Sequence, residues 1–342
     1  MPLATHSAVL FDLGGTHLRC ACLSGNDQIT SVTQERIRSC RSGQPSAEIW
    51  SEILDKIAGY AIRSDSLVEK SAPLVISFPG PLREDGRIVS APTVSGPDIT
   101  VPDLHRELSR RTDRRVHILN DVSAAALYLA RRSEWERLMV VTVSSGIGSK
   151  VCFRHAADFT LFDKGPYAGE IGHLTVDESD DAPVCDCGRR GHLAAFASGR
   201  GIERLARQRA ADDPHAFSLS LCHGMFGATA DTLNNEEHLV PAIRAGDLWS
   251  SRLLHDATRP LTVVLNTIVL ALGLQGILVI GGFAFAIGEI YLELFRRMIL
   301  TRGDHSAFHF SPDMVRFGDM CEHACLLGAA AFARVVQNGG RS

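Results

Sequence analysis

The run Ala8-Val9-Leu10-Phe11-Asp12-Leu13-Gly14-Gly15-Thr16 is β-rich and stops at a pair of glycines. Arg19–Leu23 reads as a second strand and Ile29–Arg36 as a third, so the chain opens on a hairpin meander, not a strand–helix crossover. An aspartate and two glycines at a strand end let backbone N–H groups approach a phosphate closely. The Asp12 carboxylate suits a hydrated Mg²⁺ and the Thr16 hydroxyl suits a phosphate oxygen. An ordinary glycine hairpin turn uses the same residues, and no Gly-Lys-Ser/Thr follows to make a Walker A loop.

The unit occurs twice. Leu138–Val143 is a buried strand ending in Ser144-Ser145-Gly146-Ile147-Gly148, and Lys150–Phe153 continues as a strand. Between the two units, Ile49, Ile53 and Ile57 mark a helix with Ser46 as its cap and Glu48 in its first turn. Leu74–Phe78 is a strand running into Pro79-Gly80-Pro81, and Leu104–Arg111 is a short basic helix. His117–Leu119 is a strand ending at Asn120-Asp121, before the alanine-rich helix Ser123–Arg132. Later come a helix at Leu261–Leu272, a strand at Ile277–Ile280 and a glycine turn at Gly281-Gly282. Strands first and helices after, twice over, predict an α/β protein of two lobes with a cleft between them. The expected division is a smaller lobe at 1–120, joined by a C-terminal helix at 323–342, and a larger one at 121–322. Ala210–Asn235 has no readable pattern.

The chain has 342 residues, 35 basic against 39 acidic, with 45% hydrophobic and 22% charged, the balance of a soluble protein of about two domains. A net charge of −4 lacks the basic footprint of a nucleic-acid binder. No cationic stretch followed by a long apolar run opens the sequence, so a cytoplasmic location is expected. Pro260–Gly288 is uncharged and long enough to span a bilayer, but Asn266, Gln275 and four glycines break it into buried elements, so no membrane partner is expected. Nine cysteines, an odd number, do not make a disulfide framework. Cys20, Cys22, Cys40, Cys152, Cys222, Cys321 and Cys325 read as small buried hydrophobes.

Three glycine turns at strand ends, with Gly14-Gly15, Ser145-Gly146 and Gly281-Gly282, lie where a nucleotide meets a sheet. Asp121, at the end of a strand, can accept a proton from a hydroxyl that attacks a phosphoryl group; it can equally cap the following helix. The most specific signal is His173…Cys185-x-Cys187-Gly188-x-x-Gly191-His192, four ligands that complete a zinc tetrahedron. Two reduced surface cysteines and unrelated histidines are the plain alternative. In Glu170-Ile171-Gly172-His173, a zinc ion on one nitrogen of His173 leaves the other to point at a ligand.

Together these residues resemble the ROK family of sugar kinases and regulators, within the two-lobed actin-like ATPase (ribonuclease H-like) fold. The matching pieces run in family order: Asp12-Leu-Gly-Gly-Thr16, Phe78-Pro-Gly-Pro81, Asn120-Asp121, Gly146-Ile-Gly148, Gly169-Glu-Ile-Gly-His173, Cys185-Asp-Cys-Gly188, Gly281-Gly282 and Gly328-Ala-Ala-Ala331. The resemblance implies Asp121 as general base on a sugar's primary hydroxyl. It implies Asn120, Glu170 and His173 on other hydroxyls, with Gly80 and Thr93 also lining the sugar. It implies Mg²⁺ positioned by Asp12, and ATP phosphates facing Gly14, Gly15, Thr16, Ser145, Gly146, Gly281 and Gly282. A structural Zn²⁺ is implied on His173, Cys185, Cys187 and His192, and assembly as a homodimer or homotetramer.

Four positions depart from the family. His192 stands where a third cysteine is usual, Thr93 where an asparagine often lines the sugar, and Ser145 where a threonine is usual. Ala194 stands where hexose kinases of the family usually carry a glutamate that binds hydroxyls near the anomeric carbon. Loss of that acceptor predicts a displaced specificity: an amino hexose such as kanosamine or glucosamine, or a carbocyclic sugar mimic, as for ROK-like kinases of antibiotic pathways. An ordinary glucokinase and a non-catalytic sugar-binding regulator are the alternatives. The family's regulators carry an N-terminal DNA-binding domain, for which the eleven positions before Asp12 leave no room.

Overall fold

The computed structural model describes residues 7–25, 28–40, 43–91, 93–96, 101–155, 158–163, 165, 167–303 and 311–337. Pro92, beside Thr93, and residues 338–342 of the expected C-terminal helix lie outside the described residues. The chain separates into two compact units, one of residues 1–134, 152–168 and 319–342, the other of 135–151 and 169–318.

In the first unit β1 (Ala8–Leu13), β2 (His17–Leu23) and β3 (Ile29–Arg36) form the antiparallel meander. After α1 (Ser46–Arg63) come β4 (Leu74–Phe78), α2 (Leu104–Thr112) and β5 (Val116–Asn120), with β4 parallel to both β1 and β5. The resulting sheet order is β3-β2-β1-β4-β5. Because side chains alternate along a strand, β1 serves two cores. Val9, Phe11 and Leu13 pack with Trp50, Ile53 and Ile57 of α1, while Ala8 and Leu10 pack with α3 (Asp121–Arg132) and, at the end of the chain, a helix at Ala324–Gln337. That helix crosses α3 where Gly328 meets Ala124. A Cβ on Gly328 would fall 1.9 Å from the Ala124 carbonyl oxygen, so only glycine permits the approach. This crossing puts α3 in the first unit and moves the boundary from residue 120 to residue 134.

The second sheet repeats the topology. β6 (Arg137–Val143) is followed by β7 (Ile147–His155) and β8 (Asp158–Phe162). Short helices α4 (Leu193–Ala197), α5 (Gly199–Asp212), α6 (Pro214–Ser218), α7 (Leu221–Gly224) and α8 (Val240–Arg244) lead to α9 (Leu248–Leu272). β9 (Gly276–Ile280), α10 (Gly282–Ile287), α11 (Glu289–Gly303), β10 (Val315–Phe317) and α12 (Ala324–Gln337) complete the chain. The sheet order is β10-β9-β6-β7-β8, with β9 parallel to β6 and β10, the same scheme as the first sheet.

Some local expectations change. Ser46 is the first helical residue of α1 and does not cap it; Pro45 holds that place. Cys40 and Cys321 are exposed and Cys325 is half-buried, whereas Cys20, Cys22, Cys152 and Cys222 are buried as expected. α9 has 25 residues, about twice the expected length, because its first half carries charges on a solvent face while Leu253, Leu254 and Ala257 continue the buried stripe. Gly273 closes α9 in the left-handed conformation at φ 59°. No described helix is long and apolar enough to cross a membrane.

Candidate functional site

In the first unit the sequence-marked residues come together at the carboxyl ends of β1, β4 and β5. Asp12 is buried, with 8% of its surface exposed. Ser77 Oγ donates to Asp12 Oδ1 at 3.0 Å, and Arg19, its cross-strand partner, reaches Oδ2 at 3.2 Å. Burial raises the Asp12 carboxyl above its ordinary value, against the opposing pull of Ser77 and Arg19. Gly14 donates its N–H to the His17 carbonyl at 2.8 Å, which forms the glycine turn. A Cβ on Gly15 would stand 3.3 Å from the Thr93 carbonyl oxygen, so Thr93 lies directly over the turn. The Thr16 hydroxyl pairs with His17 Nδ1 at 2.9 Å and is exposed.

Asn120 is the cap of α3: its Oδ1 accepts from Val122 N at 3.0 Å and Ser123 N at 3.3 Å. Asp121 is the first helical residue, not the cap. Its Oδ1 accepts from Val122 N at 2.8 Å and from Asn120 Nδ2 at 3.0 Å. The same Asn120 amide donates to the Gly80 carbonyl at 3.0 Å. One side chain thus ties the Pro79-Gly80-Pro81 loop to the carboxylate. A Cβ on Gly80 would sit 2.4 Å from the Ser90 carbonyl oxygen, so this loop needs glycine.

In the second unit the Ser144 turn closes with Ser144 N donating to Gly146 O at 3.0 Å. Gly281, at φ 111°, lies so close to Val143 that a Cβ would be 2.4 Å from its carbonyl oxygen. Gly282 abuts Ser144 Oγ, 3.7 Å from the position of a Cβ. Gly199 N donates to Ser144 O at 2.8 Å, which adds the start of α5 to the two glycine turns. Sequence reading missed this element. Ser198-Gly199-Arg200-Gly201 looks like a loop, and only the Ser198 cap on Gly201 N identifies a helix start. It also missed Ser77 and Arg19 as partners of Asp12.

The His173, Cys185, Cys187 and His192 ligand atoms all lie within 4.8 Å of one another. His192 Nδ1 is 3.2 Å from Cys187 Sγ and 3.3 Å from His173 Nδ1. Gly188 and Gly191 have positive φ, and a Cβ on Gly191 would lie 1.7 Å from the Asp177 carbonyl oxygen. Two thiols and two imidazoles this close fit the edge lengths of a tetrahedral zinc centre, so Cys2His2 is a sound donor set. Burial raises the Cys185 thiol, and burial with His173 and Arg189 lowers His192 toward the neutral, metal-binding form. The other nitrogen of His173, Nε2, stands 3.9 Å from Glu170 Oε2.

The Asp12 environment has a measurable sign. A raised carboxyl means that the folded chain holds the proton more tightly than the unfolded chain. Stability therefore falls as pH rises from the ordinary carboxylate value through the raised one. Asp12→Asn lacks this loss. Thermal melts between about pH 4 and about pH 8 should show the melting temperature of D12N gaining on wild type as pH rises. A difference that is flat or shrinks with pH contradicts the assignment.

Comparison with known proteins identifies the family. A family model described as "ROK family" matches residues 9–335. A C(7)-cyclitol 7-kinase of Streptomyces hygroscopicus subsp. jinggangensis is 34% identical over 344 residues, covering 97% of this chain and 95% of that protein. A 2-epi-5-epi-valiolone 7-kinase of an Actinoplanes species is 29% identical, covering 90% of this chain and 86% of that protein. The crystal structure of a ROK hexokinase from Thermus thermophilus, 26% identical, superposes with a TM-score of 0.69 over 97% of this chain and all of that one. With nearly every residue inside the family model and its motifs in order, the chain belongs to the ROK family and has the α/β actin-like ATPase fold.

Proposed function

We propose that this ROK sugar kinase transfers the γ-phosphoryl group of Mg·ATP to the primary hydroxyl of a C7 cyclitol, a carbocyclic sugar mimic. The observation that carries the choice of acceptor is Ala194. Its methyl group lies 3.4 Å from where a Cβ on Gly172 would stand, against the Glu170–His173 turn. A hexose presents a hemiacetal hydroxyl at its anomeric end, and an alanine offers it no acceptor. Leaving such a buried hydroxyl unpaired costs about 1–3 kcal/mol. A cyclitol has carbon in place of the ring oxygen and no hemiacetal, which suits a methyl neighbour. An amino hexose keeps the same hemiacetal hydroxyl at its anomeric end, so it ranks second. The C(7)-cyclitol 7-kinase and the 2-epi-5-epi-valiolone 7-kinase described above support the same choice.

Asp121 acts as the general base. The Val122 N–H and the Asn120 amide both donate to Asp121 Oδ1 and fix its rotamer. It accepts the proton of the acceptor hydroxyl as that oxygen bonds to the γ-phosphorus, and the bond to the bridging oxygen breaks to release ADP. Asn120, Gly80, Thr93, Glu170 and the free nitrogen of His173 hold the other hydroxyls. Asp12 would hold Mg²⁺, which supplies charge neutralisation on the phosphates. Gly14, Gly15, Thr16, Ser145, Gly146, Gly281 and Gly282 face the nucleotide. His173, Cys185, Cys187 and His192 would hold zinc, which fixes the loop and takes no part in the transfer.

The acceptor assignment is tested by ADP release with Mg·ATP across C7 cyclitols, glucose, glucosamine, kanosamine and N-acetylmannosamine. The best C7 cyclitol should exceed glucose by at least about tenfold in kcat/KM. Glucose turned over faster than every cyclitol overturns it. Purified protein should contain about one zinc per chain by elemental mass spectrometry. Cys187→Ser should lose the metal and weaken acceptor binding more than ATP binding. Equal weakening of both ligands breaks the proposed link.

A further inference from the structure

Asp186 is the residue between the two cysteine ligands, and both of its carboxylate oxygens are engaged by α5. Oδ2 meets Arg200 Nη1 at 3.0 Å, and Oδ1 meets Arg204 Nη1. Arg200 breaks a local rule. It is the second residue of α5, where the helix dipole is positive, and the first turn of α5 contains no acidic residue. A cation there is unfavourable unless an anion from elsewhere meets it, and Asp186 is that anion.

The pairs are about half exposed: the side chains of Arg200, Arg204 and Asp186 keep 55%, 43% and 45% of their surface. Ion pairs this open contribute little to stability. What they fix is orientation. The start of α5 is the element that touches the Ser144 turn through Gly199, and a Cβ on Gly199 would also crowd Phe283 of α10 at 3.2 Å. At its other end the clamp holds the Cys185-Asp186-Cys187 loop, whose ligand cluster includes His173. Within the second unit, one carboxylate therefore joins the loop assigned to the acceptor with the turns assigned to the nucleotide.

We infer that Asp186 is a positioning residue that couples acceptor binding to nucleotide binding, through Arg200 and Arg204 and the start of α5. The inference rests on the proposed roles of those loops. Coupling of this kind is reciprocal: if acceptor tightens nucleotide, nucleotide tightens acceptor by the same factor.

The test compares wild type, Asp186→Asn and Asp186→Glu by calorimetry with a non-hydrolysable ATP analogue, with and without the best acceptor of the panel. Wild type should show acceptor tightening the analogue by about fivefold or more. D186N should cut that factor to below about twofold, with zinc content kept and the melting temperature within a few degrees of wild type. D186E, which keeps the charge, should recover most of the coupling. Coupling absent in wild type, or unchanged in D186N, overturns the inference. So does loss of zinc together with coupling in D186N, because the residue then supports only the metal loop. A panel in which a hexose is the best acceptor overturns the cyclitol assignment alone, and the coupling is then read with that hexose.

Discussion

The constraint on which the first unit turns is a carboxylate at the end of a strand buried on both faces. β1 has an apolar core on either side of it, so Asp12 has water only at the strand's end. Its charge is opposed by burial and offset by Ser77 from β4 and Arg19 from β2. Those two partners can reach it only because β1 lies between β2 and β4, antiparallel to one and parallel to the other. The meander, the parallel step to β4 and the glycine turn after Leu13 together set that carboxylate between its two partners.

Each unit carries its own part of the chemistry. In the first, the Asn120 side chain caps α3, holds the Asp121 carboxylate and anchors the Gly80 loop. In the second, glycine turns at Ser144 and Gly281 meet the start of α5, and the Cys/His cluster shapes the loop that carries Glu170. His173 has one nitrogen toward the cluster and the other toward Glu170.

Much of this was legible in the sequence. Alternation and glycine punctuation located β1, β2, β4 and β6, and the Cys-x-Cys spacing with two histidines located the His/Cys cluster. Signals that depend on distant partners were not legible. Nothing near Ala124 announces that Gly328 will cross it, so the α3 boundary was misplaced. By residue type Asp121 serves equally as base or cap; the chain passes from β5 into α3 without a loop, and Asn120 one residue earlier takes the cap. The first half of α9 was hidden because Arg252, Asp256 and Arg259 look like loop polarity until its buried stripe is seen. Cys40 and Cys321 were read as buried from their small size, but they lie outside the strands and helices that bury the others.

The central claim is that Asp121 removes a proton from the acceptor's primary hydroxyl, and the direct measurement is steady-state turnover of Asp121→Asn beside acceptor binding by calorimetry. The account predicts a fall in kcat of about 10²–10⁴-fold with acceptor affinity within a few-fold of wild type, since asparagine keeps the shape and an acceptor oxygen but takes no proton. Turnover near the wild-type rate, or loss of binding as large as the loss of rate, would contradict it.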